Sequence, residues 1–411
     1  MNKTLGALLL AALLTRGGLD LFWWLTLPGV RSLGAVVTAG LIAASALVVS
    51  AHRSQLPRSL GVPVALFFTL VLAGFGRGPG TWLDASRWAL LYLGPLVFGA
   101  AVWVTRPSPQ RWSRSLLAAA TVPLLASLAL LVEGQPQELV LHGYPRLLGP
   151  FKNHHNLAVF ASGICLVSGY ASTQERGPWR GVAVAVGLAS AICLAFTYVR
   201  TCWILVAGSF ALWALLEKRW TLLAVGSLTA ASALAVSPTL QERFSDIAHV
   251  LSGVPPAGGW RMIGSSRVHI WTDSFAQFAS GGWSSFLFGN GLGGHMNLHK
   301  DLDPHCEYLT LLYQLGLAAP LTYLWIFAAA ARTAYRDPDP LGRWVTAAVL
   351  MTAATSLISN DYLGRTTFAW GLWAAIAISG ANAAKNGGNG GREHEGRTDA
   401  QRLGELGRHV G

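Results

Sequence analysis

What most limits the fold of this chain is a succession of apolar runs, each close to the length needed to cross a bilayer and separated by polar links. They fall at 4–27, 33–50, 60–76, 88–104, 115–132, 157–172, 181–199, 202–216, 220–236, 307–331, 344–358 and 364–383, about twelve spans in all. With 52% hydrophobic and only 12% charged residues, the chain is too apolar for a soluble protein. The expected class is an all-α polytopic integral membrane protein with the lipid bilayer as a partner. The stretch 181–216 is too long for one span, because about 36 helical residues reach about 54 Å across a core of about 30 Å. A break near Thr197 to Thr201 is therefore required, although no Gly or Pro marks it.

The net charge of +11 would point to nucleic acid in a soluble domain. Here the basic residues sit mostly in short links, where they read as topology, so no nucleic-acid partner is expected. Alternate links carry Arg53 and Arg58; Arg106, Arg111 and Arg114; Arg176 and Arg180; Lys218 and Arg219; Arg332, Arg336 and Arg343. The positive-inside rule makes these links and both termini cytoplasmic. The opposite, periplasmic face then receives 133–156, the turn at Arg200, the stretch 237–306 and the turn at Asn360-Asp361. Met1-Asn2-Lys3 followed by Leu5 to Leu14 resembles a signal peptide without a small-residue cleavage site, and reads as a retained first span. Cys165, Cys193, Cys202 and Cys306 form no disulfide framework or metal knuckle.

These features divide the chain into an N-terminal bundle of about nine helices at 1–236, a large periplasmic loop at 237–306, C-terminal spans at 307–383 and a disordered cytoplasmic tail at 384–411. A polar loop of about seventy residues is either disordered or functional. Trp260, Trp271, Phe275, Phe278, Trp283, Phe286 and Phe288 argue against disorder and for short helices within it.

The polar clusters that can carry chemistry all fall on the periplasmic side. The first is Gly149-Pro150-Phe151-Lys152-Asn153-His154-His155-Asn156, just before a span, where Lys152 and His154, with Arg146 upstream, are secondary candidates for phosphate or sugar contacts. Its alternative is a turn with interfacial polar anchors. The second is Arg200, at the required break, where a charge near the membrane is a functional candidate by default or an arginine snorkelling to the interface. The third is Ser265-Ser266-Arg267, in which a serine can cap a helix carrying Arg267, Ile270, Trp271 and Phe275 along one face. An amphipathic helix lying on headgroups is the alternative, and either reading sets the guanidinium near phosphate.

The fourth cluster is Asp303-Pro304-His305-Cys306-Glu307-Tyr308. Asp303 suits an N-cap and Pro304 the first helical position, which sets His305 in the first turn. The helix dipole there favours a neutral imidazole, a good general base near pH 7. A capping-turn histidine without chemistry is the alternative. His295 and His299, with Asp301 and Asp303, have the composition of a metal site, but the Gly-rich run before them argues for a loop rather than the helix their spacing needs. His305 and Cys306 do not make a nucleophilic pair, because adjacent helical residues point about 100° apart.

The order of these motifs, Gly-Pro-Phe-Lys-Asn-His-His-Asn before a middle span, Arg200 at a break, Arg267 with Trp271, Phe288-Gly289-Asn290-Gly291-Leu292-Gly293, and His305 followed by Tyr308-Leu309 and Gly316, resembles the O-antigen ligase family. That family lies in the superfamily that also holds O-antigen polymerases and protein O-oligosaccharyltransferases. The resemblance implies a glycosyltransferase of the bacterial inner membrane that moves a glycan from undecaprenyl diphosphate to a sugar of lipid A-core on the periplasmic face. It further implies inversion without metal or other cofactor, His305 as general base, and Arg200 and Arg267 on the donor diphosphate. Arg365 joins the secondary contacts, and Arg16 and Asp20 have no assigned role. The polymerase shares the donor, and a transporter of lipid-linked glycan would bind the same diphosphate without chemistry; a transporter's binding residues are expected near the bilayer midplane.

Overall fold

The computed structural model describes residues 33–52, 58–78, 81–134, 137–139, 145–151, 153–256, 259–260, 263–264, 267–293, 305–359 and 368–385. The expected first span at 4–27, the tail, and Lys152 and Arg365 lie outside them.

Helices dominate, as they must where lipid offers no partner to backbone N–H and C=O groups. In chain order they are α1 (Leu33–Ala51), α2 (Arg58–Gly74), α3 (Trp82–Thr105), α4 (Pro109–Val132), α5 (His154–Gln174), α6 (Pro178–Thr197), α7 (Arg200–Leu216) and α8 (Trp220–Val236). The polar stretch then supplies α9 (Pro238–Ser252), α10 (Arg267–Ser280) and α11 (Gly282–Phe288). The chain continues through α12 (Glu307–Leu315), α13 (Ala318–Tyr335), α14 (Pro340–Thr355) and α15 over 368–385. Four of these, within α3, α4, α5 and α6, are at least 20 residues long and apolar enough to cross a bilayer, and further apolar helices are shorter. The chain is a multi-pass membrane protein.

Burial agrees with a bilayer as solvent. The long helix α5 is buried along most of its length and forms the centre of the bundle. The outermost helix α8 has no buried residue and leaves Leu222, Val225 and Leu228 exposed, an apolar surface that only lipid satisfies. Inside, Trp213 stacks on Trp344 with ring centroids 4.3 Å apart, and Tyr323 meets Phe67, Tyr308 and Phe327.

The break between α6 and α7 falls where length required it. Tyr198 takes a left-handed conformation at φ 54°, and Val199 is extended. No glycine is needed because side chains take over the freed backbone groups: Thr197 Oγ1 and Trp203 Nε1 both donate to the Leu194 carbonyl, at 2.7 and 3.0 Å.

The expected single span at 307–331 is corrected. Gly316, at φ 78° and ψ −179°, separates α12 from α13. The N-terminus of α12 meets the end of α14, where the Glu307 N–H donates to the carbonyls of Ser356 and Ser359. Its other end lies by the end of α2, where a side chain added at Gly74 would strike Leu315. The two ends of α12 thus pack against the ends of α14 and α2, and the run 307–331 is two helices rather than one.

The Gly-rich run 289–293 closes this junction. Asn290 and Gly291 donate to the carbonyls of Tyr313 and Gln314 at 2.8 and 2.9 Å, and Leu292 to that of Gly74 at 3.1 Å. A side chain at Gly291, φ 86°, would strike the backbone of Arg77 and Gly78. The expected loop at 133–156 also holds a small antiparallel pair, Gln137–Leu139 with Pro145–Leu147, in whose backbone register position 138 pairs with position 146.

Candidate functional site

Most of the described candidates sit where a helix starts. Asn153 caps α5, its side-chain oxygen accepting from the Asn156 N–H at 2.8 Å, which puts His154 and His155 in the first turn. His154 is 6% exposed, and Arg146 Nη1 lies 2.6 Å from its Nε2. Since a guanidinium only donates, His154 Nε2 accepts, and the ring carries its proton on Nδ1. His155 packs at a tilt against His154 with ring centroids 4.2 Å apart and lies roughly parallel to the His305 ring at 6.4 Å. Among the described residues, the histidine ring that meets the expected base is thus His155, which sequence reasoning passed over in favour of His154.

The expected placing of His305 inside a helical turn is corrected. The helix begins at Glu307 with Cys306 as its cap residue, and His305 precedes it in a left-handed conformation at φ 50°. Such a backbone costs a non-glycine residue about 1–2 kcal/mol and persists only where neighbours over-determine it. Here the neighbours are explicit: the Glu307 N–H on two carbonyls of the 356–359 turn, and the Tyr308 hydroxyl donating to the Ala353 carbonyl at 2.8 Å. Asp303 and Pro304, expected to cap, and His295, His299 and Asp301, weighed as metal ligands, lie outside the described residues.

Arg267 opens α10, and its Nη1 donates to the Ile358 carbonyl at 2.6 Å. The turn at 356–359, beyond the end of α14, therefore holds the Glu307 N–H through the Ser356 and Ser359 carbonyls and Arg267 through the single carbonyl of Ile358. Trp271 lies one turn beyond Arg267 and is half-buried. The buried face of α10 runs through Ser274 and Phe278, whereas Phe275, expected on the Arg267 face, is 55% exposed.

Arg200, first residue of α7, donates from Nη1 to Asp246 Oδ2 at 2.7 Å, both side chains roughly a quarter exposed. Asp246 stands on α9 and also accepts from the Gly264 N–H at 3.2 Å. A side chain built on Gly264 would lie 3.5 Å from Arg267 Cβ, so Asp246 and the 263–264 turn join Arg200 to the start of α10. Sequence reasoning missed Asp246 because 46 positions separate the partners. The helix that carries it was legible from Ser237-Pro238 at its start and Gly253 at its end, a capping serine and a left-handed C-cap.

The described candidates thus converge on one side of the bundle. Arg146, His154, His155 and His305 follow one another in successive contacts, the 356–359 turn binds the Glu307 N–H and Arg267, and Arg200 pairs with Asp246, which also accepts from Gly264. Chemically, His305 can take a proton at its imidazole, and Arg200 and Arg267 each carry a guanidinium of the kind that meets an anion. The chain matches no protein-family model, and a comparison with curated proteins gives no match either.

Proposed function

We propose that this protein is a glycosyltransferase of the O-antigen ligase type. It joins a glycan carried on undecaprenyl diphosphate to a sugar hydroxyl of lipid A-core at the periplasmic face of a bacterial inner membrane. About twelve spans, with both termini and the arginine-rich links in the cytoplasm, would place the site on that face.

The observation that carries the reading is the common anchorage of His305 and Arg267. The segment that bears the imidazole and the guanidinium are both fastened to the 356–359 turn, with Arg200 tied in through Asp246 and Gly264. A base and a phosphate-binding group must be held at fixed separation for one displacement to use both. A site of this kind at one end of the spans also favours transfer over transport, which draws on binding residues near the midplane.

In the proposed reaction the acceptor oxygen attacks the anomeric carbon from the face opposite the diphosphate. The new C–O bond forms as the bond from that carbon to the diphosphate oxygen breaks, and its electron pair leaves with the diphosphate. His305 takes the hydroxyl proton, while Arg267 and Arg200 meet the charge that develops on the leaving group. One displacement inverts the anomeric centre.

The test is transfer by the purified full-length protein supplied with undecaprenyl-diphosphate-linked glycan and lipid A-core, with and without a chelator. Ligation is expected to survive chelation, and His305→Ala to lose about 10²–10⁴-fold in rate without unfolding. Lengthening of the donor glycan instead of ligation would make the protein a polymerase. Glycan translocation without transfer would make it a transporter, and sensitivity to chelation would return attention to His295 and His299.

A further inference from the structure

We infer that Glu307 is a positioning residue for this chemistry, the buried carboxylate that backs His305 when it takes up the acceptor's proton. The inference rests on the reading of His305 as the base.

Glu307 is 3% exposed, although it lies two residues from His305 on the side of the bundle that bears the site. A carboxyl group so deeply buried is costly to retain as an anion, and the hydrogen bonds around it show what it is attached to. Ser356 Oγ donates to its Oε2 at 3.3 Å, and its own N–H reaches the Ser356 and Ser359 carbonyls at 3.0 and 3.1 Å. The residue grips the 356–359 turn with both backbone and side chain, and Arg267 grips the same turn at Ile358. This doubled attachment keeps the preceding residues, including the left-handed His305, at a set distance from Arg267.

The side-chain grip alone needs no charge, since a glutamine oxygen would accept from Ser356 equally well. What only a carboxylate adds is a negative charge within the segment where an imidazolium forms. In the proposed displacement the acceptor's proton passes to His305, the electron pair of the broken bond leaves with the diphosphate, and Glu307 keeps its charge throughout. It therefore favours the state in which His305 is protonated, while donor binding, which falls to the arginines, does not depend on it.

The deciding experiment measures initial rates of the full-length protein over a range of donor concentrations for wild type, Glu307→Gln, Glu307→Asp and His305→Ala, each first checked by thermal unfolding. Glu307→Gln is expected to fold and to lose roughly 10- to 100-fold in kcat with donor KM nearly unchanged. Glu307→Asp, which keeps the charge, should recover part of that loss. Wild-type kcat in Glu307→Gln beside an inactive His305→Ala overturns this inference and leaves the proposed function standing. Full activity in His305→Ala overturns both. Should Glu307→Gln fail to fold, Ser356→Ala decides: a kcat lowered several-fold at constant donor KM supports the inference, and a wild-type kcat overturns it.

Discussion

Gly316→Ala isolates the junction on which the site depends. At φ 78° and ψ −179° the backbone occupies a region open almost only to glycine, and forcing alanine into it costs about 1–3 kcal/mol. The added methyl also meets the Leu287 carbonyl and the backbone of Phe288, rigid atoms that cannot step aside as a side-chain tip would. Relief requires α11 and α12 to separate, which threatens the bond from the Leu317 N–H to the Phe286 carbonyl at 3.0 Å and those from Asn290 and Gly291. Losing one or two of them adds about 1–2 kcal/mol, for a total of about 2–5 kcal/mol out of about 5–15. The assay is unfolding of the full-length protein in detergent beside Gly61→Ala. Gly61 lies within α2 with nothing within 4 Å of an added methyl, so that control should be neutral or up to about 1 kcal/mol more stable. Equal stability of the two variants would refute the described junction. Because α12 begins two residues after His305, the transfer rate of Gly316→Ala should fall as well, even where the protein remains folded.

Arg200→Ala and Arg267→Ala should each lower kcat/KM for the donor by about 10- to 100-fold, since a hydrogen bond to a charged group contributes about 1.5–3 kcal/mol; full activity in either removes that residue from the site. Asp246→Asn should lower donor KM by up to about fivefold, because a partly exposed ion pair worth about 1 kcal/mol no longer competes with the diphosphate for Arg200; a raised KM would mean that Asp246 serves to orient the arginine. On the opposite side of the bundle, burial raises the Asp337 carboxyl above its ordinary value of 3.8, while the Asp339 N–H opposes that shift. Its contribution is then fully present below the ordinary value and lost as pH rises through the raised one. Asp337→Asn keeps an oxygen for Asp339 and should raise stability near pH 7 by about 1 kcal/mol with little effect in acid, read from unfolding at both pH values.

Much of the scaffold was legible because a bilayer imposes one length on every crossing. That constraint located the break at Thr197 to Thr201, although it said nothing of how Trp203 and Thr197 close it. It failed at 307–331, where a single glycine in an apolar run reads as tolerated. What makes Gly316 a stop is Leu287, on a separate helix of the polar stretch. His305 shows a second limit. The Asp303-Pro304 pair reads as a helix start, but two carbonyls beyond α14 draw the first helical N–H to Glu307 instead. Alternation of basic links put the candidates on one face without placing them in contact, and the Arg200–Asp246 pair had no local signal at all.

Apart from Arg146 on its strand and Trp271 one turn into α10, the described site residues share one physical circumstance, which accounts for where they are. His305 and Glu307 stand at the start of α12, Arg200 at the start of α7, Arg267 at the start of α10, and His154 and His155 at the start of α5. The last carbonyls of a helix and those just beyond it lack intrahelical donors, and the turn after α14 offers those of Ser356, Ile358 and Ser359. A guanidinium or an N–H that satisfies such a carbonyl is held rigidly without a second charge in a medium where charges are expensive. Helix starts therefore bring in the polar groups, and a helix end supplies the acceptors that fix them. A base and an arginine can in this way be held together on one side of a bundle whose remaining surface is built for lipid.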